Sequence, residues 1–156
     1  MNRHLAWLFM GLALLLAGAP GQAASPPRAL ITDPVANALL STRAEIPVTV
    51  SIDNYQQEIA ARWHFWVSLA NVDGKGHKIN HWPKFYVKAP VYTGKAYEGG
   101  FNPLPQPQPM VILLLKVDDA TNQRFVQWMK DGPSKGYPGF RVDPRQIIAE
   151  QPIRLP

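Results

Sequence analysis

The chain has 156 residues, with 16 Lys and Arg against 11 Asp and Glu, and no cysteine. The missing thiol excludes a disulfide scaffold, a cysteine nucleophile, a thiolate metal site and a thiol-linked lipid anchor. The modest positive excess contains no run of Lys or Arg, so it predicts a solvated surface rather than a nucleic-acid interface.

At the start, Asn2, Arg3 and His4 lead into the apolar run Leu5 to Ala17. The run breaks at Gly18, Pro20 and Gly21 and closes on Ala23 and Ala24. That order predicts a cleavable signal peptide over residues 1–24 and export to the periplasm or beyond. The apolar run, about 13 residues, is shorter than the roughly 20 a spanning helix needs, so no stable membrane insertion is expected after cleavage. Residues 25–156 are expected to form a single domain, large enough to bury a core without cross-links.

Sixteen prolines and eleven glycines punctuate the chain, which favours short strands joined by turns. Ala29 to Thr32 reads as a first strand, turned at Asp33-Pro34. Ile46, Val48, Val50 and Ile52 alternate with Pro47, Thr49 and Ser51, the period of a half-buried strand. Trp63, Phe65, Val67 and Leu69 repeat the pattern, with His64, Trp66, Ser68 and Ala70 on the reverse face. This places Trp63 in the core. Asn71 to Gly76 is a turn. Phe85 and Val87 alternate in the next strand, and Val91 to Phe101 forms another, bent at Gly99-Gly100.

The Pro- and Gln-rich tract from Asn102 to Pro109 predicts an extended, polyproline-type loop with few ladder bonds. Met110 to Leu115 is then unbroken in its apolar character, which requires burial on both faces. A cover for the second face follows in the sequence. With Asp119 as N-cap, Phe125, Val126 and Met129 on one stripe and Gly132-Pro133 as a stop, residues 120–131 read as an amphipathic helix lying on the sheet. Trp66 is expected beneath it. A last strand runs from about Glu150 to Leu155. The sum is an all-β fold, a sandwich of about seven strands with one short helix before the last, of the immunoglobulin-like kind.

Several segments occur in a recognisable order: Ile31-Thr32-Asp33-Pro34, His64-Phe65-Trp66-Val67, Trp82-Pro83 and Thr93-Gly94-Lys95. A long aliphatic strand, a helix and the loop Gly136-Tyr137-Pro138-Gly139 complete the series. This layout resembles an immunoglobulin-like accessory module found in many bacterial extracytoplasmic proteins. The likeness spans most of the mature chain and is most specific in its last three elements. The chain departs from it at Lys84, where the module often has Gln, and in the Pro/Gln tract, which replaces a tight turn. The resemblance implies a binding or sensory accessory domain and carries over no catalytic residue.

Three constellations are candidates for function. His77 and His81 stand four apart, a spacing that suits Cu or Zn when both rings converge, although the glycines before them disfavour a helix. Trp82, Tyr86 and Tyr92 fall near strand ends and form a candidate recognition surface for a protein or a glycan. Pro105 and Pro107 offer a stiff ridge that an aromatic groove accepts. Enzyme motifs are missing: there is no Gly-x-Ser-x-Gly, no His-Glu-x-x-His and no phosphate-cradling loop. Asp118 and Asp119 are adjacent rather than paired across a site. The expected function is therefore a non-catalytic, exported binding or protein-interaction module with an envelope protein as partner and no cofactor. A periplasmic metal protein and a glycan-binding module are the alternatives.

Overall fold

The computed structural model describes residues 28–41, 44–98 and 106–156. The predicted leader lies outside them, as do Gly99, Gly100 and the stretch from Phe101 to Pro105. The described elements are β1 (Ala29–Asp33), β2 (Ala38–Leu39), β3 (Ile46–Ile52), α1 (Tyr55–Ala60), β4 (His64–Val72) and β5 (Lys78–Tyr86). They continue with β6 (Val91–Ala96), β7 (Gln108–Val117), α2 (Asp119–Lys135), a 3-10 turn (Pro144–Gln146) and β8 (Ile147–Leu155). Among the described residues eight strands stand where about seven were expected, the addition being the two-residue β2.

The strands form two sheets, β1-β3-β6 and β2-β8-β7-β4-β5. All pairings are antiparallel except β2 with β8. In β3 the expected alternation is realised: Ile46, Val48, Val50 and Ile52 are at most 2% exposed. They share a core with Phe65, Val67 and Leu69 of β4, Met110, Ile112 and Leu114 of β7, and Ile153 and Leu155 of β8. The two sheets thus pack face to face.

On its other face the larger sheet carries a second core. Trp66 and Ala70 of β4 and Leu113, Leu115 and Val117 of β7 meet Phe125 of α2 and Val142 beyond it. The unbroken run in β7 is buried on both sides, as its composition requires. Trp66 lies beneath α2, as expected. Its ring meets Phe125 edge-on at 5.5 Å, and its Nε1–H donates to Asn122 Oδ1 at 2.8 Å.

The helix differs from expectation at both ends. The cap is Asp118, whose carboxylate accepts from the Thr121 N–H at 2.8 Å. Asp119 sits in the first turn, where its carboxylate takes His64 Nε2 at 2.7 Å and Arg62 Nη2 at 2.5 Å, tying the helix start to β4. The helix also passes through Gly132-Pro133 and ends at Gly136, whose φ of 69° is left-handed. A proline in the last turn removes only one backbone bond, so it does not stop the helix there. Phe125 alone of the predicted stripe is buried; Val126 and Met129 are 53% and 37% exposed.

Trp63 is not in the core. Arg62 adopts a left-handed φ of 65°, and Trp63 donates its N–H to Glu58 O before the ladder begins at His64. Its ring is 37% exposed and carries Lys116 Nζ at 4.7 Å from its centroid. The helix α1 escaped the sequence reading because six residues are too few to show a period. It inserts Tyr55 against Phe65 at 5.6 Å, with the phenol donating to Val87 O at 2.9 Å. Gln108 and Pro109, expected in the loop, instead open β7 and pair with Leu155 and Arg154 of β8.

Phe125→Ala should lower the unfolding free energy by about 3–5 kcal/mol in urea denaturation, the cost of truncating a buried aromatic. Val126→Ala should stay within about 0.5 kcal/mol. Equal losses would mean that α2 does not lie on the sheet by this face. A second expectation concerns acid. The Thr121 N–H bond holds the Asp118 carboxyl below its ordinary value. Its folded value is thus below the unfolded one, so its stabilisation is present above the ordinary carboxylate range and is lost as pH falls through the folded value. Asp118→Asn keeps a capping oxygen but removes the titration. Its stability should fall less steeply than the parent's below about pH 4, and an unchanged acid limb would refute the cap.

Candidate functional site

The segment after α2 is fixed onto the edge strand β5. Tyr137 has a left-handed φ of 50°, costing about 1 kcal/mol for a residue with a side chain. Its N–H donates to Gly132 O at 3.0 Å, and its carbonyl accepts the indole N–H of Trp82 at 3.1 Å. One residue later the Pro138 carbonyl accepts the indole N–H of Trp128 at 2.9 Å. Phe140 and His81 then exchange backbone bonds of 3.2 and 3.0 Å.

Two glycines permit this approach. The Tyr137 ring rests on Gly132, where an added Cβ would stand only 2.2 Å from a ring carbon. Gly139 passes so close to Asn80 that a Cβ would meet its side chain at 2.9 Å. Gly132 within α2 therefore provides a seat for Tyr137 rather than a helix stop.

Between this loop, β5 and the residues that follow β6 lies a cleft of about 550 Å³. One wall is aromatic: Trp128 and Tyr137 stand with ring centroids 5.4 Å apart, and Trp82 and Tyr97 also line the space. Tyr97 and Tyr137 are 50% and 47% exposed. The polar part is an ion pair. Lys84 Nζ lies 3.0 Å from Glu98 Oε2 and donates to Tyr97 O at 2.6 Å, with the two side chains only 13% and 16% exposed. Lys84 reaches this position because the pairing of β4 with β5 skips it. Val67 faces Phe85, Ser68 faces Pro83, and the intervening residue is bulged out of register. Bulges of this kind re-aim a side chain. Lys95, which also lines the cleft, pairs with Glu45 at 3.0 Å.

The residues singled out from the sequence are dispersed. Trp82 lines the cleft. Tyr86 sits against the second core, its ring 5.6 Å from Trp66 and its hydroxyl 3.3 Å from His64 Nδ1; burial pushes its phenol up. Tyr92 packs on Phe85 at 5.9 Å, against the main core. Pro107 is exposed ahead of β7, and Pro105 lies outside the described residues.

His77 and His81 face different partners. His77, on an exposed turn, donates from Nδ1 to Asp73 Oδ2 at 3.1 Å. Its own N–H bond to Asp73 is the main reason that carboxyl lies below its ordinary value. His81 belongs to β5, is 5% exposed, and has Nδ1 3.0 Å from Phe140 O. Burial pushes its imidazole below the ordinary value, which favours the neutral ring. Among the described residues no group of three or more His, Asp or Glu side chains is placed to hold a metal ion.

Sequence reasoning did not select Trp128, Tyr97 or the Lys84–Glu98 pair. Trp128 had one local signal: it stands three residues after Phe125 and four before Gly132, hence on the flank of the buried helix face. The ion pair joins residues 14 apart through a bulge, and no sequence period reports that. Comparison with known proteins gives no likeness to report: no family model, no curated protein and no solved structure matches the chain.

By helix propensity alone, Gly132→Ala would stabilise the protein by about 1 kcal/mol. The ring of Tyr137 occupies the space the methyl needs, so the melting temperature should fall instead, with a loss of near-ultraviolet circular dichroism from the Trp128–Tyr137 wall. A rise in melting temperature would show that Tyr137 is not seated on Gly132.

Proposed function

We infer that the chain is a non-catalytic binding module, an immunoglobulin-like sandwich exported to the cell envelope, which takes its ligand in the aromatic cleft. The observation that carries this is the fixing of both cleft tryptophans. Trp82 and Trp128 each spend their indole N–H on a carbonyl of one loop, at 3.1 and 2.9 Å. Side chains held in this way lose little freedom when a ligand arrives, which is the economy a preformed site exploits. The volume of about 550 Å³ lies inside the roughly 300–1,000 Å³ typical of small-ligand sites.

The charged side chains along the cleft form ion pairs. Lys84 is paired with Glu98 and Lys95 with Glu45. Export is supported by the order of charged start, apolar run and Ala23-Ala24 in the first 24 residues.

Labelling the protein with 5-fluorotryptophan provides the test, because Trp82 and Trp128 lie in the cleft and Trp66 in the core. A library of small aromatic and polar fragments should shift the fluorine resonances of Trp82 and Trp128 and leave that of Trp66 in place. Fragments that bind elsewhere, or none that bind at millimolar concentration, would remove the cleft as the working site.

A further inference from the structure

Resting on the cleft as the binding site, we propose that its ligand is a neutral oligosaccharide built of pyranose rings. The first ground is what the aromatic wall has left to offer. An indole is a donor only, through its single N–H. In Trp82 and Trp128 that donor is already bonded to Tyr137 O and Pro138 O. Toward a ligand these side chains present carbon alone. The matching surface is a rigid ring with an apolar C–H face, whereas a ligand seeking hydrogen bonds from that wall finds none in the indoles.

The second ground is the opposing polar pair. Lys84 Nζ has three hydrogens, of which one goes to Tyr97 O at 2.6 Å and one to Glu98 Oε2 at 3.0 Å. One donor remains. The Glu98 carboxylate, like any other, accepts more than one bond. The pair therefore offers a donor and an acceptor side by side, on side chains only 13% and 16% exposed. Hydroxyls on adjacent ring carbons satisfy both together: one accepts from Nζ while its neighbour donates to the carboxylate. A peptide group fits less well, because its N–H and C=O point in opposite directions across a trans bond.

Charge decides between neutral and ionic sugars. The two charges cancel at close range, and Lys95 is cancelled by Glu45. An anionic ligand would bring its charge against Glu98, and a cationic one against Lys84, each with the opposite partner already engaged. A neutral ligand meets neither penalty and gains bonds to ionised groups, which are the stronger kind.

The experiment uses the same fluorotryptophan-labelled protein. Maltotriose, cellotriose, mannotriose and triacetylchitotriose serve as neutral probes, trigalacturonate as the anionic one and a Pro/Gln-rich decapeptide as the polypeptide. At least one neutral trisaccharide should shift Trp82 and Trp128 saturably, without moving Trp66. Glu98→Gln and Lys84→Gln should each weaken that sugar about tenfold or more, the usual loss for a bond to a charged group, and Lys116→Gln should not. Melting curves of the variants show whether each is folded, and should Lys84→Gln fail to fold, Glu98→Gln carries the test alone. If fragments enter the cleft but no neutral trisaccharide does, the sugar proposal is overturned and the binding cleft stands. Tighter binding of trigalacturonate or of the peptide overturns it as well. If neither fragments nor sugars shift Trp82 and Trp128, the cleft itself is refuted and the proposal falls with it.

Discussion

The structure depends on one demand: strands β4 and β7 are apolar on both faces and must be covered twice. The smaller sheet covers one side. From Phe65 to Ala70 every residue of β4 is buried, and in β7 Ile112 to Leu115 are wholly so. Leaving either face in water would expose a contiguous apolar surface at a cost of roughly 25 cal/mol for each Å². The second cover is α2 with the segment that follows it, and Phe125 is its anchor. Its start is tied down by Asp119 to His64 and Arg62.

The cleft follows from the way the chain returns after α2. Having crossed the larger sheet, it must reach β8, next to β7. The return passes the free edge of β5 and bonds to it at His81. That contact also protects an edge strand that would otherwise present unpaired backbone groups. The aromatic space lies between the helix end, the loop and Tyr97 and Glu98 after β6. Two tryptophans show how similar side chains acquire different roles. Trp66 gives its N–H to Asn122 of the covering helix and is 4% exposed. Trp128 gives its N–H to Pro138 in the return loop and lines the cleft.

Much of the scaffold was legible because burial on one face or on two leaves different traces in sequence. The alternation of Ile46 to Ile52 and the unbroken run after Met110 each announced their surroundings, and the second implied a covering helix. Trp63 misled because alternation was extended one residue past the ladder, where Arg62 turns left-handed. The strand position of His81 was obscured by the glycines of the turn before it. Asp118 and Asp119 were both capable of capping, and only the three-dimensional position of His64 and Arg62 separates their roles. Of the recognition surface read from the sequence, Trp82 alone lines the cleft. Tyr86 and Tyr92 turn toward packing partners on other elements, and side-chain chemistry alone does not distinguish a ring that packs from one that waits for a ligand.

Asn37, Glu45, Asn54 and Arg62 also have positive φ, but at Tyr137, beside the cleft, the left-handed backbone meets further local costs. Tyr137 is held in a left-handed conformation, Gly132 weakens the last turn of α2 to receive its ring, and Pro133 removes a backbone bond from that turn. A segment needed only to close the edge of β5 could leave the helix at Gly136 and reach Phe140 without seating an aromatic ring on the helix. Strained backbone persists where surrounding contacts over-determine it. Here those contacts are the N–H bond to Gly132, the indole bond from Trp82 and the tilted ring of Trp128. Each of them also fixes a wall of the cleft. The same bonds that hold Tyr137 in its costly conformation hold the aromatic surface ready, which ties the strain to the site rather than to the return of the chain.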